Sequence, residues 1–167
     1  TKTVYFDLHE SCFPRSDSVE SRRWILIPPA IWIACLLTIH ILGAFMAPDT
    51  SEMPSECPEN SNNCERLMMA VNASPEAHHS AAMEWISTQS RTSIESEEAT
   101  SSHSVFHSRW FMFPDDFFVE TGCTENGTWV QIHSESRLGW GDMGVNQERI
   151  EQLVEHLIDT PFETSEC

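Results

Sequence analysis

Basic residues are scarce in this sequence: nine Lys and Arg stand against 26 Asp and Glu, giving a net charge of −17. The deficit is local. Residues 1–23 hold four basic and four acidic side chains and residues 24–46 hold neither, so the chain from Ala47 onward carries five basic against 22 acidic. Such a surface repels nucleic acid and anionic headgroups and favours cationic partners. Catalytic signatures are missing as well: no Ser/His/Asp order, phosphate loop or G-x-S-x-G elbow occurs. No internal repeat is visible. At 167 residues there is room for one ordinary domain and an appendage, but not for two full-sized domains.

What is present begins with residues 24–46, WILIPPAIWIACLLTIHILGAFM, a run without formal charge. As a helix it is long enough to cross the roughly 30 Å of bilayer hydrocarbon. Arg22 and Arg23 abut one end, Pro48 and Asp49 close the other, and Trp24 sits where an interfacial anchor belongs. Pro28 and Pro29 are expected in the first turns, where a missing amide donor is tolerated. A secretory signal has a shorter apolar core, of about 7 to 15 residues, and Phe45-Met46 is a poor cleavage site. The segment is apolar on all faces with no polar stripe, which weighs against a core helix in a domain this small. The positive-inside tendency puts residues 1–23 in the cytoplasm, stroma or matrix and the acidic remainder on the opposite side.

Residues 47–66, rich in Pro, Ser, Glu and Asn, read as a linker. Ser74-Pro75-Glu76 then supplies a helix cap, a first-position proline and an early acid, and Ala77, Ala81, Ala82, Trp85 and Ile86 recur at helical spacing. Residues 91–104 are polar with scattered strand formers. Residues 105–113 and 117–121 are aromatic and β-branched enough for strands, separated by a turn at Pro114-Asp115-Asp116. Asn126-Gly127 favours a tight turn, after which Val130 and Ile132 share one strand face. In the last helix Asn146 is the expected cap, Ile150, Leu153, Val154, Leu157 and Ile158 form one stripe, and Pro161 is the stop. The order predicts an α+β domain: an antiparallel sheet with two helices on one face, preceded by a single transmembrane helix. The divisions are an arm at 1–23, the span at 24–46, the linker at 47–66, the acidic domain at 67–160 and a tail at 161–167.

Residues 134–150, SESRLGWGDMGVNQERI, resemble the S-x-S-R-x-G-x-x-D-x-G-x-N-x-x-R signature of the family known as domain of unknown function 1499. Phe113-Pro114-Asp115-Asp116 resembles that family's F-x-D-D turn, and Cys57-Pro58 through Asn63-Cys64 resembles its C-P-x-x-x-x-N-C segment, with Ser61-Asn62-Asn63-Cys64 in place of a shorter S-P-N-C pattern. The resemblance covers residues 57–158. The family offers no established enzymatic activity to carry over, and its members often follow an amino-terminal membrane segment. Independently of the family, Gly139, Gly141 and Gly144 permit tight turns between a strand and the last helix. Asp142 is placed to accept backbone amides or to pair with Arg137, closing the loop. The rival reading has Arg137, Asp142 and Asn146 lining a small-molecule or anion pocket.

Cys57 and Cys64 suit a loop-closing disulfide on the non-cytoplasmic side. With His78 and His79 they are alternatively four zinc ligands, although the spacing matches no common zinc motif and adjacent helical histidines diverge. Cys123 and Cys167 have no obvious partner, and Cys12 and Cys35 lie beyond or within the membrane. Asp115, Asp116 and Glu120 read as solvated turn residues rather than an acid pair, because paired catalytic carboxylates need opposed environments. His103 and His107, four apart on a strand, are too distant to share a ligand. Asn72-Ala73-Ser74 and Asn126-Gly127-Thr128 match a glycosylation acceptor. His40 is the residue of the span able to carry chemistry, by bonding a neighbouring helix or by ligating a chlorophyll, other pigment or haem.

Two functions follow. The first is an accessory or assembly subunit of a larger membrane complex, photosynthetic before respiratory, with the acidic domain docking to other subunits. A thylakoid setting, lumen-facing, is favoured over the mitochondrial inner membrane or a bacterial envelope, and a chain beginning at Thr1 fits processing after organelle import. The second is a membrane-tethered enzyme or ligand-binding module, which a pocket walled by Trp110, Phe118 and Trp129 with Arg137 at its rim would support.

Overall fold

The computed structural model describes residues 18–125 and 127–163. The chain divides into two units, one ending at Ala34 and one beginning at Cys35. Helix α1 runs over Ser18–Phe45. Within it, Trp24–Phe45 is 22 residues long with a mean hydropathy of 2.2, long and apolar enough to cross a membrane. Its most apolar 18-residue window is unburied, and in the whole stretch Gly43 alone is buried. Because α1 starts at Ser18, Pro28 and Pro29 lie inside the helix rather than in its first turns. Each withdraws one amide donor, from the carbonyls of Trp24 and Ile25.

The second unit holds β1 (Cys64–Val71), α2 (Pro75–Thr88), β2 (Thr92–Glu97), β3 (Ser101–His107), β4 (Pro114–Thr124), β5 (Gly127–Ser136) and α3 (Val145–Asp159). The five strands form one antiparallel sheet in the order β1-β5-β4-β3-β2. Both helices pack on one face, as expected for α+β. Ser74 Oγ accepts the Ala77 amide at 3.2 Å and Pro75 takes the first helical position, so α2 starts as its sequence indicates. The β4–β5 hairpin closes between Thr124 and Gly127, with Asn126 outside the described residues.

Strand alternation sorts the side chains. Phe117 and Val119 of β4 and Val130 and Ile132 of β5 are fully buried against Ile86 of α2 and Ile150 and Leu153 of α3. Trp85, Phe106 and Phe117 pack beside them in tilted and edge-on contacts with centroids 5.2 to 6.2 Å apart. Of the α3 stripe, Ile150, Leu153 and Leu157 are buried, Val154 is half-buried and Ile158 is exposed.

In the second unit four further details depart from the sequence reading. β1 starts at Cys64, inside the segment read as linker. Residues 50–57 are not a free tether, because they cross the sheet face opposite the helices, where Arg66 of β1 donates to the Pro54 carbonyl. Asp115 and Asp116 are not a solvated turn: they lie in β4 and are buried, paired with β3 and β5 on either side. The break in the aromatic run falls earlier, at residues 108–113, which form the loop between β3 and β4.

Candidate functional site

Asp115 and Asp116 open β4, so their side chains point to opposite faces of the sheet, and each meets an arginine. On the helical face Asp115 Oδ2 accepts from Arg149 Nη2 of α3 at 2.9 Å. Arg149 Nη1 also donates to Asn146 Oδ1 at 2.7 Å and Ser134 Oγ at 3.0 Å, and its guanidinium lies 4.5 Å from the Phe106 ring centroid. Asn146 is a buried hub: its Nδ2 donates to the Asn63 carbonyl at 2.8 Å and Ser136 Oγ at 3.1 Å, while its Oδ1 accepts from Ser134 Oγ at 2.6 Å. It is therefore not the helix cap. That work falls to Asp142, whose two oxygens accept the Gly144 amide at 3.0 Å and the Asn146 amide at 2.6 Å. Gly144, with φ 83, takes the left-handed conformation that begins α3, where a Cβ would be strained.

On the other face Asp116 is held bidentately by Arg137, Nε to Oδ2 at 2.8 Å and Nη2 to Oδ1 at 2.7 Å, and His103 Nε2 lies 2.6 Å from Oδ1. Burial pushes the Asp116 carboxyl up, but the bonds from Arg137 and His103 outweigh it and hold the group below its ordinary value. The same bond to Asp116 raises Arg137. The His103 ring stacks on Phe118, centroids 4.2 Å apart, and its Nδ1 is buried with no hydrogen-bond partner among the described residues. Carboxylate and imidazole resemble half of a general-base assembly, yet no hydroxyl or thiol of the described residues is held against that nitrogen. Arg137 reaches further: its Nη1 donates to the carbonyl of Gly43, in the last turn of α1, at 3.3 Å.

Cys57 and Cys64 form a disulfide with an S–S distance of 2.06 Å, tying residues 50–57 to β1. Buried His133 lies 3.6 Å from Cys64 Sγ, 3.4 Å from Arg66 Nη1 and 3.3 Å from Glu135 Oε2. The ring near the cysteines is thus His133, and His78 and His79 are on α2, beyond the sheet. Burial pushes both of those imidazoles down, and His78 stacks on Phe162 at 4.1 Å. With the sulfurs bonded to each other, the thiolates a zinc site needs are not available. Cys123 is also disulfide-bonded, where the sequence offered it no obvious partner.

Arg137, Asp142, Asn146, Asp115 and Asp116, singled out from the sequence, thus converge at one end of the sheet. Asp142 does not pair with Arg137, which is engaged by Asp116 instead. His40 is exposed on α1, three residues before Gly43. Trp110 is exposed on its loop, Phe118 is buried between His103 and His133, and Trp129 packs over Gly122, so the three do not wall a common pocket. Sequence reasoning had His103, Asn63, Ser134 and Ser136 in view but assigned them no partner: His103 meets Asp116, and the other three meet Asn146. Arg149 was in view as the last residue of the signature, without a partner assigned to it.

These features define an acidic α+β domain behind an apolar helix, with a doubly ion-paired sheet end built from its signature residues. A family model described as protein of unknown function (DUF1499) matches residues 47–157, and the chain belongs to that family. The crystal structure of protein CV1439 from Chromobacterium violaceum is similar to this chain at 10% sequence identity and a TM-score of 0.33, over 57% of this chain and 92% of that one. No curated protein matches the sequence.

Proposed function

We propose that this chain is a single-pass accessory or assembly subunit of a larger membrane complex, in which the acidic domain docks to other subunits and performs no reaction. The observation that carries the reading is the use made of the signature residues. Asp115, Asp116, Arg137, Asp142 and Asn146 are all engaged within the chain, and Arg137 also bonds the end of the apolar helix. A group whose donors and acceptors are spent internally holds shape and has little left for a substrate. Apart from Asp115, Asp116 and Asp142, the acidic residues after Ala47 supply a docking surface for cationic partners. His40, exposed in the apolar run, bonds a neighbouring helix of that complex, since an unpaired intramembrane imidazole is costly.

The setting we favour is a photosynthetic complex of the thylakoid membrane, with the domain in the lumen. Arg22 and Arg23 on one flank of the span and a disulfide on the other support that orientation. Substituting Arg137→Gln or Asp142→Ala tests the function. Lower accumulation and loss from the complex, with turnover falling only in proportion, is the expected result. Intact assembly with an abolished activity would reject docking and make these residues a site.

A second reading, a tethered small-molecule-binding module, is favoured by a different feature. A cavity of about 280 Å³ sets Arg91 and Arg109 beside Trp85 and Phe106, with Arg149, already paired to Asp115, and Glu148 in its wall. An anionic ligand with an apolar part suits it. Isothermal titration of the full chain with aryl carboxylates and phosphates separates the readings, because docking alone requires no saturable heat.

A further inference from the structure

The geometry points to a second point of contact with the bilayer: the loops at residues 108–113 and 138–143 sit in the membrane interface beside the end of α1. This rests on the reading of α1 as a membrane span. Gly43, near the end of the apolar stretch, packs directly on Pro114, and a Cβ there would fall 2.5 Å from Pro114 Cγ. Arg137 bonds the Gly43 carbonyl at 3.3 Å. By helical rise, Gly43 lies only about 3 Å from the helix end at Phe45. If that end marks the edge of the hydrocarbon, Pro114 and Arg137 are at the edge too.

Both residues launch a loop. Residues 108–113 lead into Pro114 and residues 138–143 lead away from Arg137, so chain length confines Trp110 to within about 14 Å of Pro114 and Trp140 to within about 11 Å of Arg137. These loops carry the most incongruous surface of the domain. Trp110 is 66% exposed, Trp140 89% and Met143 103%, with Phe111 and Met112 exposed beside them. Large apolar side chains presented together mark an interaction surface, and tryptophan is the residue enriched where bilayer meets water.

The loops are built and not merely loose. Met112 (φ 57) and Met143 (φ 58) both occupy the left-handed region, uncommon for residues other than glycine. The first loop is closed by Ser108 N to Phe113 O at 3.0 Å, Phe113 N to Ser108 Oγ at 3.0 Å and Met112 N to Ser108 O at 3.2 Å. Charge agrees with position. Residues 108–113 include Arg109 and no acid, and the acid in the second loop, Asp142, is engaged by the Gly144 and Asn146 amides. In a chain of net charge −17, these two loops themselves present no unengaged carboxylate that headgroups would repel. The occupant is the headgroup–hydrocarbon boundary of the bilayer that holds α1.

The test uses the full chain, alone, in nanodiscs of phosphatidylcholine with or without brominated acyl chains. An environment-sensitive fluorescent amino acid is placed singly at Leu37, Trp110, Trp140 or Glu125. Glu125 follows the far end of the 11-residue strand β4, roughly 35 Å from Pro114 by strand rise, and serves as the distant control. The expected result is quenching by bromine at 37, 110 and 140 and none at 125. Quenching at 37 with none at 110 and 140 overturns the interfacial loops and leaves the span standing. No quenching at 37 removes the span, and this inference with it.

Discussion

The two sides of the sheet solve the same problem with different materials. On the helical side, Asp115 is neutralised by Arg149, a residue of α3 buried among Asn146, Ser134 and the Phe106 ring, and the pair clamps the helix layer to β4. On the opposite side, Asp116 shares its charge between Arg137 and His103, and the clamp extends to the end of α1. The first arrangement has one cation for one carboxylate in a buried network with Asn146 and Ser134; the second has a reserve partner and a disulfide-tied strap nearby. The difference teaches that neighbouring residues of one strand can secure separate layers, and that the layers should fail separately.

The largest effect is expected from Arg149→Ala, which strands the buried Asp115 carboxylate and should cost about 3 to 5 kcal/mol in denaturant unfolding of the detergent-solubilised chain. Arg137→Ala leaves Asp116 with His103 and should cost less, about 1 to 3 kcal/mol. Equal losses would erase the distinction drawn between the two sides. Replacing Cys57 and Cys64 together by Ser should remove roughly 2 to 3 kcal/mol by lengthening the unfolded chain's freedom, with limited proteolysis rising first in residues 47–63. Asp142→Ala should cost about 1 kcal/mol and fray only the first turn of α3, seen as faster amide exchange at Asn146.

Acid should act in two steps, the smallest and most gradual of these effects. His78 and His79 are held below their ordinary value by burial, so the unfolded chain binds protons that the folded chain refuses. Their contribution is complete above about pH 6.5 and declines as pH falls below it. Asp116 is also lowered, so its contribution is complete above the ordinary carboxylate range and is lost as pH falls through its folded value. A stability profile measured from pH 8 to 3 should therefore bend twice, and His79→Gln should flatten the upper bend.

What was legible in the sequence follows periodicity. The α3 stripe of Ile150, Leu153 and Leu157 and the Ser74-Pro75 start of α2 are local patterns, and both elements formed where the patterns lie. The signature residues were legible as a group because they are contiguous. Their partners were not, since Asn63 lies 83 residues from Asn146, and Asp115 lies 34 from Arg149. Composition misled at β4: Pro-Asp-Asp has the makeup of a turn, but two arginines from elsewhere allow both acids to be buried in a strand. It misled again at residues 108–113, where aromatic side chains suggested a strand and instead stand exposed on a loop. Asn146 resembled a cap because the residue that caps, Asp142, acts across the left-handed Gly144.

The central claim is that the signature cluster is a structural tie with separate halves and that Arg137 secures the side facing the end of α1. Hydrogen exchange by mass spectrometry on the full-length Arg137→Gln chain tests it most directly. The account predicts faster exchange in residues 43–63 and 138–144, with α2 and α3 as protected as in the parent. Unchanged exchange in residues 43–63 and 138–144, or loosening of α2 and α3 to the same degree, would contradict it.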